Sequence, residues 1–378
     1  MFNPFYYIES FEYGVIILLS LSAVIQLIFH LSCIFRLRSY HKKEKVSVVS
    51  PVSVIICARN EEENLKKHLP SILEQKHENF EVVVVNDCST DDTEDVLGEF
   101  LKKYKNLRTT TIAPDRKFTH GKKLAITVGI KAARNEWLVF TDADCQVESE
   151  QWLNQLQSNF TESTDIVLGY GGYKQRKGLL NRYIRYDTVL IAVQYLSMAI
   201  AGKPYMGVGR NLAYRRSLFF RKKGFASHYN LLSGDDDLFV NENATGSNTT
   251  VELHPESFTR SEPCINWREY FLQKKRHFTT ATRYKAKQIF ILGLEPLTRL
   301  VFYLTFVYLL CLNIFFIPTL VTGGLRILIF FLLFRFAARR FQEKNLLVWI
   351  IIFDIISLFI NFNVYLSTAF RSKKSRWK

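Results

Sequence analysis

Cysteine is scarce in this chain and follows no pattern. Its six cysteines, Cys33, Cys57, Cys88, Cys145, Cys264 and Cys311, form no C-x-x-C pair, and two of them fall inside apolar runs. Such spacing offers neither a disulfide framework nor a zinc site. Glycine-rich phosphate loops are missing too. No G-x-G-x-x-G follows the first apolar strand and no Walker-type loop occurs, which removes the signatures of dinucleotide dehydrogenases and P-loop nucleotide hydrolases. The formal charge of +15 comes with no nucleic-acid-binding motif; the lysines and arginines flank apolar runs and crowd between Arg268 and Lys287. This distribution fits attraction to membrane lipids and implies no nucleic-acid partner.

What the chain does hold is apolar sequence gathered at its two ends, out of an apolar content of 48%. Gly14 to Ile34 is almost entirely apolar and, at about 1.5 Å per residue, long enough to cross a hydrocarbon core of roughly 30 Å. A cleaved signal peptide places positive charge before such a run. Here Glu9 and Glu12 precede it, and Arg36, Arg38, Lys42, Lys43 and Lys45 follow. The expectation is a retained anchor with the N-terminus outside and the middle of the chain in the cytosol. Toward the C-terminus, Leu300 to Leu320 and Leu346 to Leu366 each read as a span, with a shorter run, Leu325 to Phe336, between them. Two spans return the basic tail, Arg371 to Lys378, to the cytosol; three leave it outside, against the charge bias, unless the short run is re-entrant or interfacial. Asp354 in the last run, near Asn361 and Asn363, reads either as a functional intramembrane carboxylate or as a packing contact. The sequons Asn159-Phe160-Thr161 and Asn248-Thr249-Thr250 fall in the segment assigned to the cytosol and are discounted.

Between these ends, residues 51 to 145 alternate strand and helix. Val52 to Cys57 and Val82 to Val85 are continuous apolar strands, as expected where both faces of a parallel sheet are covered. Leu65, Leu69, Ile72 and Leu73 share one helical face, and so do Val96, Leu97, Phe100, Leu101 and Tyr104. A third strand near Thr109 to Ile112, a helix from about Lys122 to Ala133 and a strand ending at Asp142 complete a doubly wound α/β pattern. Ligands of such open sheets bind beyond the carboxyl ends of the strands. Three of those ends carry polar clusters: Ala58-Arg59-Asn60-Glu61, Asn86-Asp87-Cys88-Ser89-Thr90-Asp91-Asp92 and Asp142-Ala143-Asp144. Ser89, Thr90 and Asp91 read chiefly as helix caps. Asp87 sits before the cap, where it can accept a hydrogen bond from a nucleobase. The Asp142/Asp144 pair can hold Mg2+ or Mn2+ against a diphosphate, because hard cations take carboxylate oxygens and keep positions open for substrate phosphates.

In order, Val54-Ile55-Ile56-Cys57-Ala58-Arg59-Asn60-Glu61, Val84-Val85-Asn86-Asp87, Gly121-Lys122-Lys123 and Thr141-Asp142-Ala143-Asp144 resemble glycosyltransferase family 2 with its GT-A fold, over roughly residues 50 to 285. The resemblance implies that Glu61 and Asp87 contact the nucleotide, Lys122 lies near the phosphates, Asp142 touches the ribose or the metal shell, and Asp144 is the metal ligand. Ser233-Gly234-Asp235-Asp236-Asp237-Leu238 resembles the family's Gly-Glu/Asp-Asp element, which supplies the catalytic base. An acceptor hydroxyl needs such a base as it attacks the anomeric carbon, and three adjacent acids raise the proton affinity of at least one. Asp236 is the expected base and Asp235 the second choice; Asp237 is expected to face a helix start and to tolerate change. Gln273-Lys274-Lys275-Arg276-His277 resembles the Q-x-x-R-W element with His277 in place of tryptophan, so that Gln273 and Arg276 are expected at the diphosphate or acceptor. Gly207 to Tyr214 resembles a segment lining the acceptor side.

The expected organisation is an N-terminal anchor (1–36), a basic linker (37–50), an α/β GT-A domain related to Rossmann folds (51–265), an amphipathic interfacial segment carrying Trp267, Tyr270, Phe271 and Phe278 (266–296), two or three C-terminal transmembrane helices (297–368) and a basic tail (369–378). The resemblance implies an inverting transferase that moves a sugar from a nucleotide-diphospho-sugar to a lipid-linked or glycan acceptor at the membrane. Two alternatives stand beside it. One is a short-chain polymerase like the small chitooligosaccharide synthases, which share this layout. The other is a non-catalytic nucleotide-sugar-binding membrane subunit.

Overall fold

The computed structural model describes residues 4–41, 49–113, 121–231 and 233–369. Lys42, Lys43, Lys45, Leu232 and the tail from Arg371 to Lys378 lie outside the described residues. The chain divides into two units, one built from its ends and one running from Tyr40 to Tyr284.

Helix α1 (Pro4–Ser39) opens the chain. The central unit then alternates β1 (Val52–Ala58), α2 (Glu62–Leu73), β2 (Phe80–Asp87), α3 (Thr93–Lys103), β3 (Leu107–Ile112), α4 (Lys122–Ala132) and β4 (Trp137–Phe140). After β4 come β5 (Cys145–Val147), α5 (Trp152–Gln157), β6 (Ile166–Gly169), β7 (Gly171–Tyr173) and the long α6 (Leu179–Ile200). The unit continues with β8 (Leu212–Arg215), α7 (Arg216–Arg221), α8 (Asp237–Asn243), β9 (Thr249–Glu252), β10 (Thr259–Ser261) and α9 (Trp267–Ala281). Three apolar helices follow: α10 (Ala286–Cys311), α11 (Phe316–Arg340) and α12 (Ile350–Ala369).

Seven strands form one sheet in the order β3-β2-β1-β4-β8-β6-β9. β1 to β4 are mutually parallel, and the side chains of β1, β2 and β4 are buried on both faces, with Val54, Val82, Val84 and Val139 at 0% exposure, whereas the edge strand β3 is only half-buried. Continuous burial explains why these strands read as unbroken apolar runs. β8 enters antiparallel between β4 and β6, with Phe140 opposite Leu212. An antiparallel neighbour starts where a parallel one ends, so the residues just before Leu212 lie at the carboxyl edge of the parallel strands. β4 pairs Phe140 with Ile55 and stops there, while β1 runs on to Ala58. The turn Thr141 to Asp144 therefore fills the space beside the tip of β1. A second sheet, β5-β10-β7, stands next to this turn.

The unit made of the chain ends holds helices long and apolar enough to cross a membrane: Ser10–Ser39, Ala286–Cys311, Phe316–Arg340 and Leu347–Thr368. The breaks differ from those read in the sequence. The run Leu300 to Leu320 is interrupted after Cys311, and the short run Leu325 to Phe336 belongs to the 25-residue α11. Asp354 is a packing contact: it accepts from Arg299 at 2.8 Å, from Tyr303 at 2.6 Å and from Arg326, joining α10, α11 and α12. Gln26 of α1 joins the same network through Arg326 (3.1 Å) and Thr298 (2.8 Å). A buried carboxylate without such partners would be costly in an apolar surround.

The segment 266–296 is split between the two units, at Tyr284. Its first helix, α9, does not turn all of its aromatic residues outward. Tyr270 is 2% exposed and donates to Asp187 of α6 at 3.2 Å, and Lys274 of α9 pairs with the same carboxylate. Asp187 accounts for this orientation, since it draws both polar tips onto α6.

Candidate active site

The first two strand tips are tied to each other. The β1–α2 turn bonds to the loop after β2 through Asn60 N to Ser89 Oγ (3.0 Å), Glu61 N to Thr93 Oγ1 (3.0 Å), Glu62 N to Asp91 Oδ2 (3.2 Å) and Thr90 N to Asn60 Oδ1 (2.8 Å). The polar cluster after β2 thus serves mainly as a clasp between two loops. Capping is a minor part, carried by Asp91 Oδ1, which accepts from Thr93 N at 3.2 Å. Glu61 precedes α2 and accepts from Asn64 at 2.7 Å; burial, reinforced by Asp142 and Asp91, raises its pKa. Asp87 ends β2 with 0% exposure, beneath the surface at which the sequence places a nucleobase.

The third tip and the acidic loop meet across a cleft lined by Cys57, Lys122, Thr141, Asp142, Gly209, Asp235 and Asp236, among others. Lys122, the first residue of α4, bridges the two acidic clusters: its ammonium lies 2.8 Å from Asp142 and 3.3 Å from Asp235. Burial alone would strip its proton, but Asp142 and Asp235 outweigh that and hold the ammonium charged. Asp142 responds in kind. Against burial, the neighbouring Lys122 keeps its carboxyl below the usual range. For Asp235, burial together with Asp236 and Asp142 outweighs Lys122, so its pKa rises.

Asp236 is the residue before α8 and both its oxygens are fixed by backbone: Gly209 N donates to Oδ2 at 2.7 Å and Asp237 N to Oδ1 at 2.7 Å. Each oxygen keeps a further lone pair, and the side chain lines the cleft. The loop reaches this position through Gly234, whose φ of +102° is strained for any residue with a Cβ. Asp237 turns the other way. It is 9% exposed, and it accepts from Leu238 N at 2.8 Å, from Tyr284 at 2.9 Å and from Thr280. Burial, then the charge of Asp236, pushes its pKa up to about 7. Asp237 lies at a helix start, as expected from the sequence, and is in addition a tether between the acidic loop and the end of α9, which the sequence did not show.

Gln273 of α9 is held by the Tyr173 hydroxyl, to which its Nε2 donates at 3.2 Å. Arg276, one turn on, lies where its charge bears on Asp142. Both are thus brought to the side of the cleft that carries the D-x-D turn, whereas His277 is exposed.

The carboxylates of Asp142 and Asp144 and the Cys145 thiol lie within 4.8 Å of one another. The two carboxylates are the donor set that Mg2+ or Mn2+ takes. Cys145 is not part of it. Its thiol is wholly buried, burial and Asp144 push its pKa well above the ordinary value, and it donates to Asp144 Oδ1 at 3.5 Å. Ser261 donates to the same oxygen at 3.3 Å, which orients the carboxylate. Burial, then Asp142, then Glu61, raises the pKa of Asp144 to about 7. Two acids that repel each other in a half-buried turn are a site that gains stability by taking up a divalent cation.

The sequence reading did not single out Tyr173, Asp187, Thr280 or Tyr284, which hold α9 and the acidic loop in place. Their partners lie far away along the chain, and nothing in the local pattern marks such pairs. Arg210 stood only within a glycine-rich segment, although its guanidinium packs 4.3 Å over the Tyr173 ring.

Residues 53–220 match the family model described as Glycosyl transferase family 2. The chain is 25% identical over 241 residues to the probable glycosyltransferase YdaM of Bacillus subtilis, covering 62% of this chain and 56% of that protein. It is 30% identical over 145 residues to the beta-monoglucosyldiacylglycerol synthase of Nostoc, covering 38% of this chain and 30% of that protein. The chain spans little more than half, at most, of the length of the curated relatives it matches. Among solved structures, the mannosyltransferase PcManGT of Pyrobaculum calidifontis, in complex with GDP-Man and Mn2+, aligns with a TM-score of 0.59 at 18% identity over 93% of this chain and 99% of that one. The central unit has the GT-A fold.

Proposed function

Because residues 53–220 match the Glycosyl transferase family 2 model, we propose that the chain is a membrane-anchored inverting glycosyltransferase, taking a nucleotide-diphospho-sugar as donor and a lipid-linked sugar or growing glycan as acceptor. One observation carries the reading: Asp142, Lys122, Asp235 and Asp236 line a single cleft at the carboxyl edge of the parallel strands, with Asp144 in the turn beside it. Asp236 is the base. Its carboxylate is fixed by two backbone N–H groups, whereas Asp235 is 7% exposed and engaged by Lys122. It takes the acceptor proton as the hydroxyl oxygen attacks the anomeric carbon from the face opposite the departing diphosphate. Lys122 and Arg276 supply positive charge on the donor side, and Glu61 and Asp87 belong to the tips that receive the nucleotide. Asp144, with Asp142, would hold Mg2+ or Mn2+, which when bound would neutralise charge on the leaving diphosphate.

The catalytic unit is proposed to face the cytosol, where sugar nucleotides are made. Arg36, Arg38, Lys42, Lys43 and Lys45 follow the first span, and Arg339, Arg340 and Lys344 lie between the last two. With the N-terminus outside and every apolar helix spanning, both clusters are cytosolic, as the positive-inside rule asks, while the basic tail from Arg371 to Lys378 falls outside, against it. A lipid acceptor is supported by that anchoring and by a glycolipid synthase among the relatives. The exposed His277 in place of a stacking tryptophan favours single or short-chain transfer over long polymers.

The test is a panel of nucleotide-sugars offered to purified full-length protein with Mn2+ and a membrane lipid extract, reading released nucleoside diphosphate and labelled product. Release that depends on the extract supports the reading. Absence of release with every donor, despite donor binding, would favour the binding-only subunit.

A further inference from the structure

We propose that Arg210 binds the donor diphosphate opposite the Asp142/Asp144 pair, seated there by the Tyr173 ring and by the missing side chain of Gly171. The assignment rests on the transferase reading. Register brings the groups together. Phe140 of β4 faces Leu212 of β8 in antiparallel pairing, so Asp142, two residues after one, and Arg210, two residues before the other, reach the same edge of the sheet.

The seat of this arginine is built. Its Cζ lies 4.3 Å over the Tyr173 ring, a stacking that fixes the plane of a guanidinium. Tyr173 is itself 7% exposed, and its hydroxyl is held by Gln273 at 3.2 Å, which ties the platform to α9. Room for the arginine depends on Gly171 of β7. A Cβ there would lie 3.0 Å from Arg210 Cβ and 3.2 Å from its Nε, so any other residue makes the arginine give by a few tenths of an ångström against the ring.

The guanidinium's charge bears on both Asp142 and Asp144. Among the described residues it nevertheless enters no ion pair and donates no hydrogen bond. A planar fork of N–H donors, clamped beside two metal-binding carboxylates without pairing to either, matches an anion that sits between it and the cation. A diphosphate bridging from the metal is that anion. A plain counter-ion to the two acids would behave differently, since removing it would leave more negative charge and tighten Mn2+ binding without a selective loss of diphosphate.

Calorimetric titration of the full-length protein in detergent separates these cases, with Mn2+ alone and with UDP, UMP, GDP and GMP in the presence of Mn2+. Arg210→Ala should weaken the preferred diphosphate by about 10- to 100-fold, while the matching monophosphate changes by less than roughly threefold, since it lacks the outer phosphate that the arginine reaches. Arg210→Lys keeps the charge but not the fork and should fall between. Gly171→Ala, with Arg210 intact, should lower the same diphosphate-to-monophosphate ratio. An unchanged ratio in both Arg210 variants, or tighter Mn2+ binding as the sole effect, would overturn the assignment while leaving the transferase reading in place. A wild-type protein that binds neither UDP nor GDP would overturn that reading and the assignment with it.

Discussion

Replacing Asp237 with alanine should cost fold stability without touching the chemistry of the cleft. Its carboxylate joins the acidic loop to the end of α9, through Thr280 at 0% exposure and Tyr284 at 8%. Alanine leaves the Tyr284 hydroxyl and the Leu238 N–H without this acceptor, while the Thr280 hydroxyl keeps the His277 carbonyl at 2.7 Å. Each stranded polar group costs about 1–3 kcal/mol, partly offset because a carboxylate no longer has to be buried. A net loss of about 2–4 kcal/mol follows, and at roughly 2–4 °C per kcal/mol for a domain of this size the melting temperature should fall by about 4–16 °C. Asp237→Asn keeps an acceptor for the Leu238 N–H and for one hydroxyl, so about half of that loss is expected. Tyr284→Phe combined with Asp237→Ala should cost less than the sum of the single changes, because each removes the same bond. The assay is thermal unfolding followed by tryptophan fluorescence, alongside donor turnover at a temperature where all variants are folded. A melting temperature unchanged within about a degree would refute the tether. Lost turnover at unchanged stability would make Asp237 part of the chemistry instead.

Further expectations concern the metal and the membrane. Asp144 loses its proton at about 7, so below that pH a proton competes with the cation, and Mn2+ affinity should fall by about tenfold per pH unit below 7 and flatten above it. Asp144→Asn should abolish both the affinity and its pH slope; near wild-type, chelator-sensitive turnover in that variant would rule out the ligand. Since the same pKa is raised above its unfolded value, the metal-free protein should lose stability as pH rises through about 7. A reporter inserted beside the exposed Lys222 should read cytosolic. An extracytoplasmic signal from an active fusion would reverse the orientation.

The parallel half of the sheet was legible because strands buried on both faces are written as uninterrupted apolar runs. Val52 to Cys57 and Val82 to Val85 fall inside β1 and β2, and the helix expected from about Lys122 to Ala133 is α4. The D-x-D turn was legible for a related reason, since an apolar strand that stops on two acids leaves them at its tip. What stayed hidden depends on distant partners. The aromatic residues of α9 read as a membrane-facing set until Asp187, on another helix, drew Tyr270 and Lys274 inward. Ser89 and Asp91 read as caps because capping is a local pattern, while the clasp they form needs the tip of β1 beside them. Asp237 read as tolerant since its tether, Tyr284, lies 47 residues on.

The measurement that tests the central claim most directly is donor binding and sugar transfer by Asp236→Asn, side by side with the wild type. Removing a general base typically costs about 10²- to 10⁴-fold in rate and leaves donor affinity largely intact, because the carboxylate acts on the acceptor proton. The account predicts a variant that binds nucleotide-sugar as the wild type does and transfers almost none of it. Transfer at the wild-type rate by Asp236→Asn, or its loss in Asp235→Asn alone, would contradict it.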